Sequence, residues 1–159
     1  MDAAFLADFR QTVDGAAARF LELSDGDASV RPAPGKWSPK EIVGHLIDSA
    51  SNNHGRFVRA QLQDDLVFDG YDQDAWVRVA AYQRRRWVDL VRFWQAFNHH
   101  IAAVMEATEP HALTRLRVRH NLDQLAWKVV DASQPTTLEY FMRDYVGHLK
   151  HHLGQALER

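Results

Sequence analysis

From Gln73 to Thr108 the chain contains neither glycine nor proline. With nothing in that run to interrupt a helix, the sequence predicts one long helix there, or a short one continued by a longer one. Trp76, Tyr82, Trp87, Phe93, Trp94 and Phe97 lie within it at helical spacing, and most of these rings are expected in a core. The same period marks a first amphipathic helix over about Ala3 to Leu23, with Phe5, Phe9, Val13, Ala16, Ala17, Phe20 and Leu21 on one face. Ser24 to Trp37 follows with Gly26, Pro32, Pro34 and Gly35, and reads as a loop.

The second helix has a clear start. Ser38-Pro39-Lys40-Glu41 supplies an N-cap serine, a proline at the first helical position where no N–H is needed, and a glutamate placed to close a capping box. That helix is expected to reach about Leu62, before a turn-rich break from Asp64 to Asp72. Glu109-Pro110 ends the third helical run. Residues 109–135 form a long connection in which Leu122 to Val130 is expected to be a short helix. Thr136-Thr137-Leu138-Glu139, preceded by Pro135, repeats the capping-box pattern and starts a last helix ending near Leu157. No strand-like alternation and no internal repeat is present. The expected fold is therefore all-α, a four-helix bundle with a long crossover before the last helix, in a single domain over residues 1–159.

Composition narrows the function classes. The 46% hydrophobic content of 159 residues is enough for one buried core. A net charge of −2 with both signs interspersed offers no basic stripe, so nucleic acid is not an expected partner. Arg84-Arg85-Arg86 is the one dense basic run and reads as a solvated helix face. With no cysteine, a metal site must use imidazole, carboxylate or water. The first residues, with Asp2, Asp8 and Arg10, lack the pattern of a signal peptide, and no window is apolar enough to span a membrane. The expected location is the cytoplasm, with no membrane partner.

The nine histidines matter through their placement. His148 and His152 stand at i and i+4 near the end of the last helix, about 6 Å apart on one face and within reach of one cation bound at roughly 2.0 to 2.1 Å. The apolar stripe of that helix runs through Leu138, Met142, Tyr145, Leu149, Leu153 and Ala156, and both histidines flank it while His151 points further outward. On the second helix His45, Ser49 and Asn52 form a polar seam beside the stripe of Leu46, Ala50, Asn53 and Phe57. His54 falls roughly 180° from His45 and cannot share its site. His45 lies roughly 9 Å from the start of its helix, and the midpoint of His148 and His152 about 12 Å from the end of theirs. In antiparallel neighbours the three imidazoles would meet at one level. A di-iron centre would need a Glu-x-x-His pair at matching places, and none is present.

These residues carry a resemblance. Lys36-Trp37-Ser38-Pro39-Lys40-Glu41 followed by Gly44-His45-Leu46 and Asp48, together with the closing stretch from Thr137-Leu138-Glu139 through Asp144-Tyr145-Val146-Gly147-His148 to His152-Leu153-Gly154-Gln155, resembles the DinB superfamily over nearly the whole chain. The resemblance implies an up-down-down-up bundle, frequent homodimers, and a divalent metal, commonly nickel or zinc, held by three histidines that fall on His45, His148 and His152. It also implies activities that include hydrolysis and isomerisation of small molecules and transfer of low-molecular-weight thiols.

Three imidazoles with an open position suit a catalytic metal that activates water or a low-molecular-weight thiol toward a small-molecule substrate. Asp48, one turn after His45, is the candidate for orienting a ligand or accepting a proton in catalysis. Asn52 and Gln155 share the histidine faces and are the candidates for contacting a cofactor or substrate. The alternative is a non-catalytic bundle, metal-binding or dimeric, which a site plugged by side chains would favour.

Overall fold

A computed structural model describes residues 1–157 as eight α-helices: α1 (Ala3–Leu21), α2 (Asp25–Ser29), α3 (Pro39–Leu62), α4 (Gln73–Ala80), α5 (Trp87–Ala107), α6 (Pro110–Thr114), α7 (Leu122–Leu125) and α8 (Leu138–Leu157), with a 3₁₀ turn at Tyr82–Arg84. The four long helices form the bundle. Their directions follow from which residues meet. Arg10 pairs with Glu106, Asp14 accepts from Gln95, and the Phe20 carbonyl accepts from the Trp87 indole, so α1 and α5 are antiparallel. Asp2 meets Arg143 and Asp8 meets Lys150, so α8 runs parallel to α1. Phe57 packs on Phe141 and Tyr145 while His45 meets His148 and His152, so α3 opposes α8. The order is up-down-down-up, as expected. Among the described residues there are no strands, only isolated bridges between Leu66 and His120 and between Arg117 and Thr136.

The core lies on the bundle axis. Phe9, Phe20, Phe57, Trp94, Phe141 and Met142 are fully buried, and the Phe20 ring meets both Trp87 and Trp94 edge on. Burial of such side chains contributes roughly 1.5–3 kcal/mol each. Of the six aromatic residues read as a stripe, Tyr82, Trp87 and Trp94 are buried and Phe97 is half-buried, whereas Trp76 and Phe93 are 41% and 55% exposed. Helical spacing brings a ring to the flank of a helix, and the neighbouring helix decides whether it is covered.

The helix starts follow local chemistry. Both bonds of the α3 capping box form: Ser38 Oγ accepts from the Glu41 amide at 3.3 Å, and Glu41 Oε2 accepts from the Ser38 amide at 2.9 Å. At α8 the reading needs correction. Thr137, not Thr136, is the cap, accepting from the Tyr140 amide at 3.1 Å, and Glu139 turns outward to pair with Arg143. The stretch read as a loop from Ser24 contains α2, capped by Ser24 and held because Asp25 accepts from both Lys40 and the Trp87 amide. The expected helix over Leu122 to Val130 stops at Leu125, since the amides of Trp127 and Lys128 both donate to Asp144 on α8 at 2.8 Å.

The run from Gln73 to Thr108 is a short helix continued by a longer one. The break falls at Ala81, whose φ of 53° is left-handed, a conformation that L side chains seldom adopt. It turns Tyr82 onto α3. No helix among the described residues is long and apolar enough to cross a membrane.

Candidate metal centre

The clamp on the first turn of α3 fixes where His45 sits. Arg31 pairs with the Glu41 carboxylate, and Gln83 donates to Ser38 Oγ at 2.7 Å, so three chain segments hold the turn that precedes His45. His45 is 1% exposed, beneath the half-buried Trp37 ring with centroids 5.0 Å apart. On α8, Asp144 ties down the crossover one turn before His148. The Trp127 ring then lies so close to the helix that a Cβ on Gly147 would stand 3.0 Å from it.

His45, His148 and His152 each offer one ring nitrogen within 4.8 Å of the others. His45 Nε2 and His148 Nε2 are 3.4 Å apart, and the ring centroids lie 5.3 Å (His45–His148), 4.7 Å (His45–His152) and 4.5 Å (His148–His152) apart. A 3.4 Å contact is long for a hydrogen bond. It matches the separation of about 3.3 to 3.4 Å for two nitrogens bound tetrahedrally at 2.0–2.1 Å to a shared cation.

Electrostatics favours the same reading. Burial, reinforced by His152 and then His148, draws His45 down from 6.5 to about 3. Burial likewise lowers His148 to about 4, with smaller contributions from His152 and His151. Burial also lowers His152, against a hydrogen bond to Gln155 that raises it. All three rings are therefore neutral at pH 7, with lone pairs available to a metal. Gln155 Oε1 lies 2.9 Å from His152 Nδ1, so that nitrogen carries the proton and Nε2 keeps its lone pair. His45 Nδ1 is buried without a partner. This donor set fits a divalent cation such as zinc, nickel, iron or copper, and three protein ligands leave room for a reactant.

The other expected site residues lie as follows. Gln155 bridges His152 and His151, its Nε2 lying 3.1 Å from His151 Nε2. Asn52 donates to the Asp48 carbonyl at 2.9 Å, back along its own helix. Asp48 is buried, and one oxygen accepts from the Tyr82 hydroxyl at 2.6 Å while Oδ2 has no partner. Burial raises its pKa, partly offset by the Tyr82 bond. His54 lies apart from the triad, against His100 and Phe97.

A cavity of about 220 Å³ opens beside the triad. His45 and His148 line it together with Ser49, Asn53, Arg56, Tyr71, Gln73, Leu125, Ala126, Trp127, Phe141, Asp144 and Tyr145. On another side Trp37 and Gln155 border a larger hollow of about 570 Å³. Sequence reasoning missed Arg56, Tyr71 and Asp144. Arg56 carried a signal: His45, Ser49, Asn53 and Arg56 fall at i, i+4, i+8 and i+11, a single face of α3.

Comparison with known proteins agrees with the fold. The family model of the DinB superfamily matches residues 8–156. YfiT from Bacillus subtilis, whose structure is described as that of a "probable metal-dependent hydrolase with an unusual four-helix bundle topology", superposes with a TM-score of 0.75 at 19% identity, over 99% of this chain and 87% of that one. At that identity the likeness concerns the fold. No curated protein sequence matches the chain.

Proposed function

The chain belongs to the DinB superfamily, and from that premise we propose that it is a metal-dependent hydrolase acting on a small molecule, with nickel or zinc held by His45, His148 and His152. The observation that carries this reading is the convergence of three neutral imidazoles, from α3 and α8, beside a cavity. The description of YfiT as a probable metal-dependent hydrolase supports it by analogy of fold. A cation there would supply Lewis acidity, polarising the substrate and drawing the pKa of water toward neutrality.

The remaining roles belong to the chain itself. Gln155 holds the tautomer and orientation of His152. Trp37 covers one face of the His45 ring and so fixes its orientation. Asp48 serves as proton acceptor through its unpartnered Oδ2, with Tyr82 fixing the other oxygen and burial bringing its pKa toward the working range of a base. Asn52, whose amide is engaged with its own helix, serves at most to steady the turn that carries Asp48.

A second reading, transfer of a low-molecular-weight thiol, is favoured by the separate hollow beside Trp37 and Gln155, which gives a second reactant its own berth. Cobalt-substituted protein distinguishes the two. Hydrolysis predicts that no thiol alters the visible spectrum and that ester or amide substrates turn over; a thiol-induced charge-transfer band would select transfer instead. Asp48→Asn is expected to slow turnover while leaving metal content unchanged, and unchanged turnover would remove Asp48 from the mechanism.

A further inference from the structure

Arg56 is only 4% exposed, yet no carboxylate among the described residues pairs with it. Its contacts are the Asp69 carbonyl, 2.6 Å from Nη2, and Asn53 Oδ1, 3.4 Å from Nη1. A guanidinium carries five N–H donors and keeps its charge at any physiological pH, so most of its hydrogen-bonding capacity is unspent. A buried charge without a counter-ion is costly unless a partner arrives. Arg117 shows how the fold otherwise deals with the problem. That buried guanidinium donates through Nη1 and Nη2 to the carbonyls of Ala60, Ala112 and Arg115, near the ends of α3 and α6, though its Nε stays without a partner. Arg56 has no such set of acceptors and instead lines the cavity that His45 and His148 also line.

We propose that Arg56 is the anchor for a carboxylate on the substrate, so that the molecule this site acts on is a small organic monoanion whose reacting group lies toward His45 and His148. The inference rests on the hydrolase reading for its direction, though the anchor itself does not need the metal. The lining sets the class. Arg56 is the one arginine or lysine side chain around the cavity, while Asp144 faces the same space, so the metal-free site matches a single negative charge and not a phosphate dianion. Asn53 and Tyr71 add polar contacts near the guanidinium, and Phe141, Leu125 and Tyr145 give the rest of the ligand an apolar wall. Burial lowers the pKa of Arg56 and the favourable pull of Asp69 offsets this only in part, so an anion bound at the guanidinium recovers the remainder.

The test is calorimetric titration of the full chain, both chelator-treated and zinc-loaded, with benzoate, its neutral counterpart benzamide, and inorganic phosphate. In the chelator-treated form wild type is expected to bind benzoate about tenfold or more tighter than benzamide, as a charge-assisted fork should, and the zinc-loaded form reads how far the metal adds to that preference. Arg56→Gln is expected to abolish that preference. Arg56→Lys keeps the charge without the fork, so it covers the case in which the glutamine variant fails to fold, and its benzoate affinity should fall while that for benzamide stays. In the chelator-treated form, equal binding of benzoate and benzamide by wild type, or wild-type benzoate affinity in either variant, would overturn the proposal. Phosphate binding the chelator-treated form more tightly than benzoate would overturn the monoanion class. The chelator-treated arm reads Arg56 alone, so failure of the metal reading leaves this result intact and separately visible.

Discussion

Gln155 Oε1 accepts a hydrogen bond from His152 Nδ1 at 2.9 Å, and through that one contact a residue outside the triad decides which nitrogen of His152 faces His45 and His148. Groups that orient a metal-bound imidazole are worth about 10- to 100-fold in metal affinity. Gln155→Leu is therefore expected to weaken zinc binding by about that factor, read by competition with a chromophoric chelator. Gln155→Glu should restore most of it, because a carboxylate oxygen accepts the same bond. An unchanged affinity in the leucine variant would mean that the ring is held by packing alone.

Metal-free protein should lose stability on mild acidification. The three histidines titrate as a cluster, with folded-state values lowered to about 3 at His45, to about 4 at His148, and also lowered at His152, against 6.5 in the unfolded chain. Below pH 6.5 the unfolded chain takes up protons that the folded one refuses. Their contribution is thus intact above pH 6.5 and lost progressively as the pH falls toward 4 and 3, at up to about 1.4 kcal/mol per pH unit for each histidine. Asp48 and Asp144, which burial raises, act in the opposite sense, since their contribution is present at low pH and lost as pH rises. Urea midpoints of wild type and the H45A/H148A/H152A variant between pH 8 and pH 5 separate the two effects. The wild type should fall more steeply, and parallel curves would contradict the shifts.

Gly44 is required by Tyr82. A Cβ at position 44 would lie 2.1 to 2.6 Å from three atoms of the Tyr82 ring, and a rigid ring cannot give way as a flexible side-chain end can. Gly44→Ala should cost about 1–3 kcal/mol by urea denaturation, from overpacking. In a Tyr82→Ala background the same change should be neutral or stabilising by about 0.5–1 kcal/mol, the usual helical preference for alanine. A loss of equal size in both backgrounds would show that the ring is not the cause.

How much of this could be read from the residues depends on the range of the interaction responsible. The start of α3 lies in Ser38-Pro39-Lys40-Glu41 because every bond of that cap is local, and its end at Leu62 follows from periodicity and the break after it. His45, His148 and His152 could be brought together on paper because helical rise and rotation fix both their level and their face. A short helix continued by a longer one was among the readings of this run, but the position of the break at Ala81 was not legible, since no glycine or proline marks it and packing of Tyr82 over Gly44 accompanies it. The cap shift from Thr136 to Thr137 reflects Thr136 pairing with Arg117, a partner from the crossover. Arg56 sat in plain view on the His45 face, but only the lack of an ion-pairing carboxylate gives it meaning, and that is a property of the assembled bundle.

The central claim is that His45, His148 and His152 bind one divalent cation, and the most direct measurement is the metal content of tag-free protein after incubation with zinc or nickel and gel filtration. Elemental analysis should give one equivalent per chain for wild type and next to none for the H45A/H148A/H152A variant, with both folded by circular dichroism. Equal metal in the two proteins, or none in either, would contradict it.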